Sequence, residues 1–317
     1  MDPETKIKAL SSQNKMNAPF GYFGSKSKIA LQLCGDLPPH NCWVEAFCGS
    51  AALSLRKKPA PIEIINDIDN EIVNFFKQLR NNHSALKKAV ELTPYAETEL
   101  MDARIEKQDL DELERARRFL IQSMMAINGV FGEAKGGFSY SDSYARSGHD
   151  ARVNRWLNLP ARLDQVVARL KSIRIENKDA VKLMKRYENR PATLIYLDPP
   201  YFAERSNGYN IDAKGREFHE NLLQMAIKLN CMVFISGYEN TLYNEMLTGA
   251  TGWERKTIDA STKGTTGTTH RRTEVVWMNR HYINALQTKE VPIILTEEER
   301  RMGKLNPERK ASISYGK

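Results

Sequence analysis

The period of the apolar positions changes twice along the chain. Near the start, Cys42-Trp43-Val44-Glu45-Ala46-Phe47 has the length and composition of a buried strand. Cys48-Gly49-Ser50-Ala51-Ala52-Leu53 then turns on small residues into a helix ending near Lys58. Ile62-Glu63-Ile64-Ile65-Asn66 is a second strand, closing on Asp67, and Asp69 stands where a helix over 70–79 needs its N-cap. A helical pattern is also expected over 27–33. From about 70 to 170 the spacing is that of helices. Leu113, Ala116, Leu120, Ile121 and Met124 share one face of a helix over 113–127, with Arg115, Arg117 and Arg118 on other faces, and a further helix is expected over 156–170. Between them, 128–140 reads as a glycine- and aromatic-rich hairpin or loop. Strand-like runs return at 172–176, 193–197 and 232–236, with helices up to Arg186 and over 217–229. A closing antiparallel pair is expected at 253–258 and 273–278, joined by a flexible loop over 261–272.

Strands alternating with turns and helices, interrupted by a helical stretch, imply an α/β fold with a doubly wound sheet and an inserted, mainly helical segment. The boundaries follow the changes of period: a flexible arm over 1–17, a catalytic domain from 18–69 and 171–280, the helical domain over 70–170 with its hairpin near 128–140, and a charged tail over 281–317. A chain of 317 residues with 41% hydrophobic and 27% charged residues can bury a large core. Lys and Arg outnumber Asp and Glu by 47 to 39, which favours a polyanionic partner. No apolar run approaches the ~20 residues of a membrane span, and no cationic flank precedes an apolar core at the amino terminus, so a cytoplasmic protein is expected. Cys34, Cys42, Cys48 and Cys231 show no metal-ligand spacing and read as reduced core residues; no metal is expected.

The chemistry concentrates at Thr193-Leu194-Ile195-Tyr196-Leu197-Asp198-Pro199-Pro200-Tyr201. An apolar strand meets an acid and stops at two prolines, the form of a parallel strand at the carboxyl edge where open sheets bind ligands. The prolines supply no backbone donors and stiffen the turn, so the backbone carbonyls of Asp198 and Pro199 are available to an exocyclic amine. Tyr201 offers a stacking platform. The tetrapeptide taken alone is also compatible with a strand-ending turn. Elsewhere, Pro19-Phe20-Gly21-Tyr22-Phe23-Gly24-Ser25-Lys26 places two glycines and a lysine before a helix. The turn after Phe47 is the strand–turn–helix unit that cradles nucleotides, or a tight joint with no ligand. Asp67 is the acid that holds a ribose in such folds. Asp179 follows the third strand and either caps the next helix or meets a base. The polar segment over 202–215, with Arg205, is a candidate loop over the site. Asn128, Lys135, Arg146, Arg271 and Arg272 lie in loops rich in glycine, hydroxyls and positive charge that suit a DNA backbone or groove.

With these pieces in this order the chain resembles the Dam-like, D12-type, class alpha adenine-specific DNA N6-methyltransferases over roughly 19–279. Asp198-Pro199-Pro200-Tyr201 matches the family's catalytic motif in full, and Tyr22 and Lys26 correspond to its amino-terminal cofactor motif. Glu45-Ala46-Phe47-Cys48-Gly49-Ser50-Ala51 corresponds to its Glu-Pro-Phe-x-Gly-x-Gly loop, and Asp67 to its ribose-binding acid. The resemblance implies a seven-stranded S-adenosylmethionine-dependent methyltransferase sheet, with methyl transfer to N6 of an adenine flipped out of double-stranded DNA. Asp198, Pro199, Pro200 and Tyr201 are then catalytic. Tyr22, Lys26, Glu45, Phe47, Gly49, Asp67, Asp179 and Asp198 hold the cofactor, Lys26 at its carboxylate and Asp67 at its ribose. Asn128, Lys135, Arg146, Arg205, Arg271 and Arg272 meet DNA, and a cognate restriction endonuclease is a compatible partner. Two positions depart from the pattern: Ala46 stands for proline and Ala51 for the second glycine. If position 51 needs a positive φ, alanine costs about 1 kcal/mol. The alternatives are an amino methyltransferase acting on cytosine N4, RNA or protein glutamine, and a non-catalytic DNA-binding regulator of the same fold. A dinucleotide oxidoreductase fits poorly, because the turn lacks Gly-x-Gly-x-x-Gly.

Overall fold

The computed structural model describes residues 16–22, 25–127, 129, 136–142, 145–200, 215–263, 269–293 and 301. Seven strands form one sheet: β1 (Cys42–Glu45), β2 (Ile62–Asn66), β3 (Arg174–Glu176), β4 (Thr193–Leu197), β5 (Met232–Gly237), β6 (Trp253–Lys263) and β7 (Thr269–Asn279), in the spatial order 3-2-1-4-5-7-6. Strands β1 to β5 are parallel, β7 returns antiparallel beside β5, and β6 pairs antiparallel with β7. The helices are α1 (Ala30–Gly35), α2 (Ala52–Arg56), α3 (Asn70–Asn81), α4 (His83–Glu91), α5 (Glu97–Arg104), α6 (Glu112–Met125), α7 (Ala151–Leu157), α8 (Leu159–Leu170), α9 (Ala180–Lys185), α10 (Arg216–Lys228), α11 (Thr241–Met246) and α12 (Arg280–Thr288).

The central strands are buried on both faces, which is why they read as continuous apolar runs. In β4, Ile195 and Leu197 pack with Leu183, Leu222, Leu223 and Leu242 from α9, α10 and α11, whereas Leu194 and Tyr196 pack with Leu33 of α1 and Tyr282 of α12. A third cluster joins α3 to α8 around Phe75, Phe76, Phe119 and Leu163 and is continuous with Ile65 of β2 and Leu55 of α2. Each fully buried Phe or Leu contributes about 1.5–3 kcal/mol, so the helices are fixed against the sheet by the same kind of core that holds the sheet together. Asp69 caps α3, accepting from the Glu71 amide at 2.8 Å. The four cysteines are unpaired thiols.

Four expectations need correction. The segment over 156–170 is two helices, because Asn158 breaks the run and Pro160, which has no amide to donate, falls in the first turn of α8. The loop expected over 261–272 is mostly strand: the ladder continues to Lys263 opposite Thr269, consistent with a run of β-branched threonines. The tail expected from 281 begins as α12, whose Tyr282 and Ala285 are buried, with the Tyr282 hydroxyl donating to Asp36 O at 2.7 Å. The helix expected over 27–33 divides into a single 3-10 turn, Lys26–Lys28, followed by α1. Of the arm over 1–17, only Met16 and Asn17 are among the described residues, and both are held by the Arg56 guanidinium.

Candidate active site

The sheet reverses its winding between β1 and β4, and a cavity of about 540 Å³ opens at the carboxyl ends of β1, β2 and β4 at that point. Its walls include Tyr22, Lys26, Glu45, Phe47, Gly49, Asp67, Asp179, Asp198 and Pro200, so these candidates, which are spread over most of the chain, converge on one space.

The turn after β1 is shaped by two residues in the left-handed region. Gly49 has φ +45°, and a Cβ built on it would lie 2.8 Å from the Tyr22 ring. Ala51 has φ 53° and ψ 37°, so the position where the family pattern has glycine does require a positive φ here. The turn is tied to β2, since the Gly49 amide donates to Asp67 Oδ2 at 2.9 Å and the Asp69 amide to Asp67 Oδ1 at 3.0 Å. Burial raises the Asp67 carboxyl to about 6 against the lowering effect of those amides. The turn is also tied to the amino-terminal motif by Ser25 and Ser50, whose hydroxyls lie 3.1 Å apart. Phe20 is buried among Phe75, Phe76 and Phe119, with edge-on contacts to Phe75 and Phe119, and it anchors the chain two residues before Tyr22.

Glu45 ends β1. Its Oε2 accepts from both the amide (3.0 Å) and the hydroxyl of Ser54 in α2, and the same hydroxyl receives the Trp43 indole N–H at 2.7 Å. Burial raises the Glu45 carboxyl to about 7. Asp179 caps α9 through the Lys182 amide at 2.9 Å and also lines the cavity. Phe47 is half-buried and meets Phe218 edge-on.

At the end of β4, Asp198 is held from two sides. The buried Lys26 ammonium lies 2.7 Å from Asp198 Oδ1 and 3.2 Å from Glu274 Oε1 on β7. Ser236 of β5 donates to the same Oδ1 at 3.4 Å and lies 2.7 Å from the Tyr196 hydroxyl. Burial alone would lower the Lys26 pKa, but Asp198, Tyr196 and Glu274 outweigh it and hold the lysine well above its ordinary range. Burial raises Asp198 to about 6, opposed chiefly by Lys26. The ammonium expected at a cofactor carboxylate is therefore paired with the acid of Asp-Pro-Pro.

Tyr201, Asn128, Lys135 and Arg205 lie outside the described residues. Arg146 is exposed on a two-stranded hairpin, Ala145–Arg146 with His149–Asp150. Arg271 and Arg272 are paired through their backbones with Ser261 and Ala260. The stem of the 128–140 hairpin is present: Ala126 bridges Phe138, and the Ile127 amide donates to Gly137 O at 2.9 Å. Sequence reasoning missed Glu274, Ser236 and Ile68. The signals for the first and last were an acid at the head of an apolar strand and an isoleucine beside Asp67, which is 46% exposed at the cavity.

A model of the D12 class N6 adenine-specific DNA methyltransferases matches residues 22–260, from the amino-terminal motif into β6. The chain belongs to this family. No curated protein matches it. Among solved structures, a Pyrococcus horikoshii protein described as an RNA methyltransferase is 10% identical, with 88% of this chain and 97% of that chain covered and a TM-score of 0.36. A precorrin 8W decarboxylase from Methanobacterium thermoautotrophicum is 9% identical, with 80% and 87% covered and a TM-score of 0.30. An Agrobacterium tumefaciens SAM-dependent methyltransferase is 14% identical, with 41% and 46% covered and a TM-score of 0.25.

The D12-class chain is thus a methyltransferase with S-adenosylmethionine as its cofactor. Its cavity fits that molecule chemically. Gly49 leaves a cradle that a Cβ would fill, Ile68 and Phe47 offer apolar surface for a purine, and Glu45, Asp67 and Asp198 line the space with carboxyl groups suited to a ligand bearing cationic sulfur and nitrogen. Among the described residues no group of His, Cys, Asp and Glu could hold a metal ion, and no helix is long and apolar enough to cross a membrane.

Proposed function

We propose that this methyltransferase acts on the N6 amine of adenine in double-stranded DNA, with the target base flipped out of the helix. The observation that carries the reading is the acid of Asp198-Pro199-Pro200 on the wall of the cofactor cavity, where both contacts of its carboxylate among the described residues fall on Oδ1. Oδ2 is left to accept a hydrogen from an exocyclic amine.

S-adenosylmethionine supplies a methyl group on positively charged sulfur. Asp67 would hold the ribose, Tyr22 and the Gly49 turn would close on the nucleoside, and Ile68 and Phe47 would flank its base, while Glu45 and Asp179 complete the wall. Adenine N6 is a weak nucleophile because its lone pair is delocalised into the ring. Asp198 and the Pro199 carbonyl therefore act by accepting the two amine hydrogens and turning the lone pair toward the methyl carbon. That nitrogen would take the methyl group from the sulfonium, with the thioether as leaving group, and would then carry positive charge. Asp198, raised to about 6, is placed to take the surplus proton. Tyr201 stacks on the flipped base, and Lys26 keeps Asp198 ionised until the transfer. Unstacking costs a few kcal/mol, which the helical segment, its 128–140 hairpin with Asn128, and the basic residues Lys135, Arg146, Arg205, Arg271 and Arg272 offset by gripping the duplex.

The test is to incubate the protein with S-adenosylmethionine and unmethylated genomic DNA, digest the product and identify modified bases by mass spectrometry. N6-methyladenine, absent with Asp198→Ala of unchanged fold, supports the reading. N4-methylcytosine, or transfer only to RNA or a protein glutamine, refutes the substrate. No transfer and no cofactor binding by calorimetry favours the non-catalytic regulator.

A further inference from the structure

We propose that Glu274 is a positioning residue for the Asp198 carboxylate, acting through Lys26 to keep that carboxylate basic and its Oδ2 open to the substrate amine. The inference rests on the reading of Asp198 given above and adds to it a residue that lies outside the 22–260 family match.

The sheet itself delivers Glu274 to the site. Leu197 of β4 is level with Ile235 of β5, so Asp198 and Ser236 emerge side by side at the next position. Ser236 is in turn level with Val276 of β7, and two residues back along that antiparallel strand, on the same face, is Glu274. The return of β7 thus brings an acid from the far end of the sequence to the carboxyl edge of the parallel strands. Glu274 is 4% exposed and Lys26 is 4% exposed. A carboxylate is costly to bury without a partner, and Glu274 has one in the same ammonium that touches Asp198.

One cation between two carboxylates does two things. It fixes the ammonium in place, because displacing Lys26 toward either acid weakens its contact with the other. Lys26, Asp198 and Glu274 taken together also carry one excess negative charge. If Lys26 served Asp198 alone, the pair would be neutral and Asp198 would be held as a weak base. Glu274 draws part of the ammonium's field to itself and adds its own negative charge, and both effects raise the proton affinity of Asp198. Among the described residues, the other ionisable groups facing Asp198 are Glu45 from β1, Tyr196 from β4 and Tyr243 from α11, the two tyrosines being held in their neutral form by burial. Among the described residues, Glu274 is then the acid that shares the lysine of Asp198, and a change there moves Asp198 while leaving the cofactor cavity intact, since Glu274 does not line it. Ser236 assists by occupying the same Oδ1.

The test compares wild type with Glu274→Gln, which keeps shape and hydrogen bonding but removes the charge, and Glu274→Asp, which keeps the charge. The Asp198 carboxyl is titrated by carbon-detected NMR without substrate, its signal assigned by loss in Asp198→Asn, and the kcat–pH profile is recorded on unmethylated DNA. In Glu274→Gln the Asp198 midpoint and the acid limb of kcat are expected to fall together by about one pH unit. Its plateau kcat should drop on the order of three- to tenfold, with KM for S-adenosylmethionine within about twofold of wild type. Glu274→Asp should return the titration toward wild type. An unmoved Asp198 midpoint in Glu274→Gln, or a kcat that falls equally at every pH, overturns the proposal. If wild type transfers no methyl to DNA, the substrate assignment fails, and the carboxyl titration still decides the role of Glu274.

Discussion

Gly49→Ala tests the architecture of the cofactor turn directly. At φ +45° an L-residue pays about 1–2 kcal/mol for the left-handed conformation. The new Cβ would also sit 2.8 and 2.9 Å from two carbons of the Tyr22 ring, where ordinary contact begins near 3.4 Å, so the ring has to retreat by roughly 0.6 Å from the cavity wall. The conformational cost alone corresponds to a melting midpoint about 1.5–3 °C lower. The displaced ring should weaken S-adenosylmethionine by about tenfold, or 1.4 kcal/mol. Ala51→Gly, two residues on, is the control. Relief of the same left-handed strain at φ 53° is offset by about 0.8 kcal/mol for the lost buried methyl and about 0.5–1 kcal/mol for the freer unfolded chain. That variant should melt within about 2 °C of wild type. Calorimetric melting of both variants, with cofactor titration of each, is the assay. The reasoning is refuted if Gly49→Ala melts and binds like wild type, or if Ala51→Gly is destabilised as much as Gly49→Ala.

Three further outcomes are expected. Glu45 has its folded-state pKa raised by burial to about 7, so its contribution to stability is complete below about 4.5 and is lost as pH rises through 7. Glu45→Gln should therefore gain on wild type by on the order of 2–3 kcal/mol between pH 4.5 and 8, measured by denaturant unfolding at both ends. Glu63→Ala leaves the ammonium of Lys57 (2.7 Å away) and the guanidinium of Arg169 (2.5 Å) without their buried acid, and should cost about 3–5 kcal/mol in the same assay. Arg146→Ala, on the exposed hairpin, should reduce the slope of log affinity for DNA against log salt by about 0.9; an unchanged slope excludes a phosphate contact there.

The parallel strands were legible because burial on both faces selects runs such as Ile62 to Asn66 and Thr193 to Leu197, and because Pro199 and Pro200 mark where one of them ends. The caps at Asp69 and Asp179 were legible because a short acid before a helical run has one low-cost place to put its oxygens. What escaped were features set by partners distant in sequence. Ser261 to Lys263 and Thr269 to Arg271 look like loop residues until each lies beside the other in a ladder. Arg280 to Thr288 looks like the start of a charged tail, since the buried face of α12 shows only through Tyr282 and Ala285. Lys26 was assigned to the cofactor carboxylate through the family resemblance. Its two acids come from β4 and β7, and no local pattern announces a contact spanning most of the chain.

The seat of Phe20 among the phenylalanines of α3 and α6 has a thermodynamic consequence. The aromatic that closes the cofactor turn is carried on a stretch of chain whose other end is embedded in the helical core, so the turn and the helices share one mechanical element. A ligand that tightens one of them alters the free energy of ordering the other, and linkage makes the effect reciprocal. On the function proposed above, a duplex on the helices and a cofactor in the turn are therefore linked in part through Phe20, which shares one core with Cys48 and Ala51 of the turn.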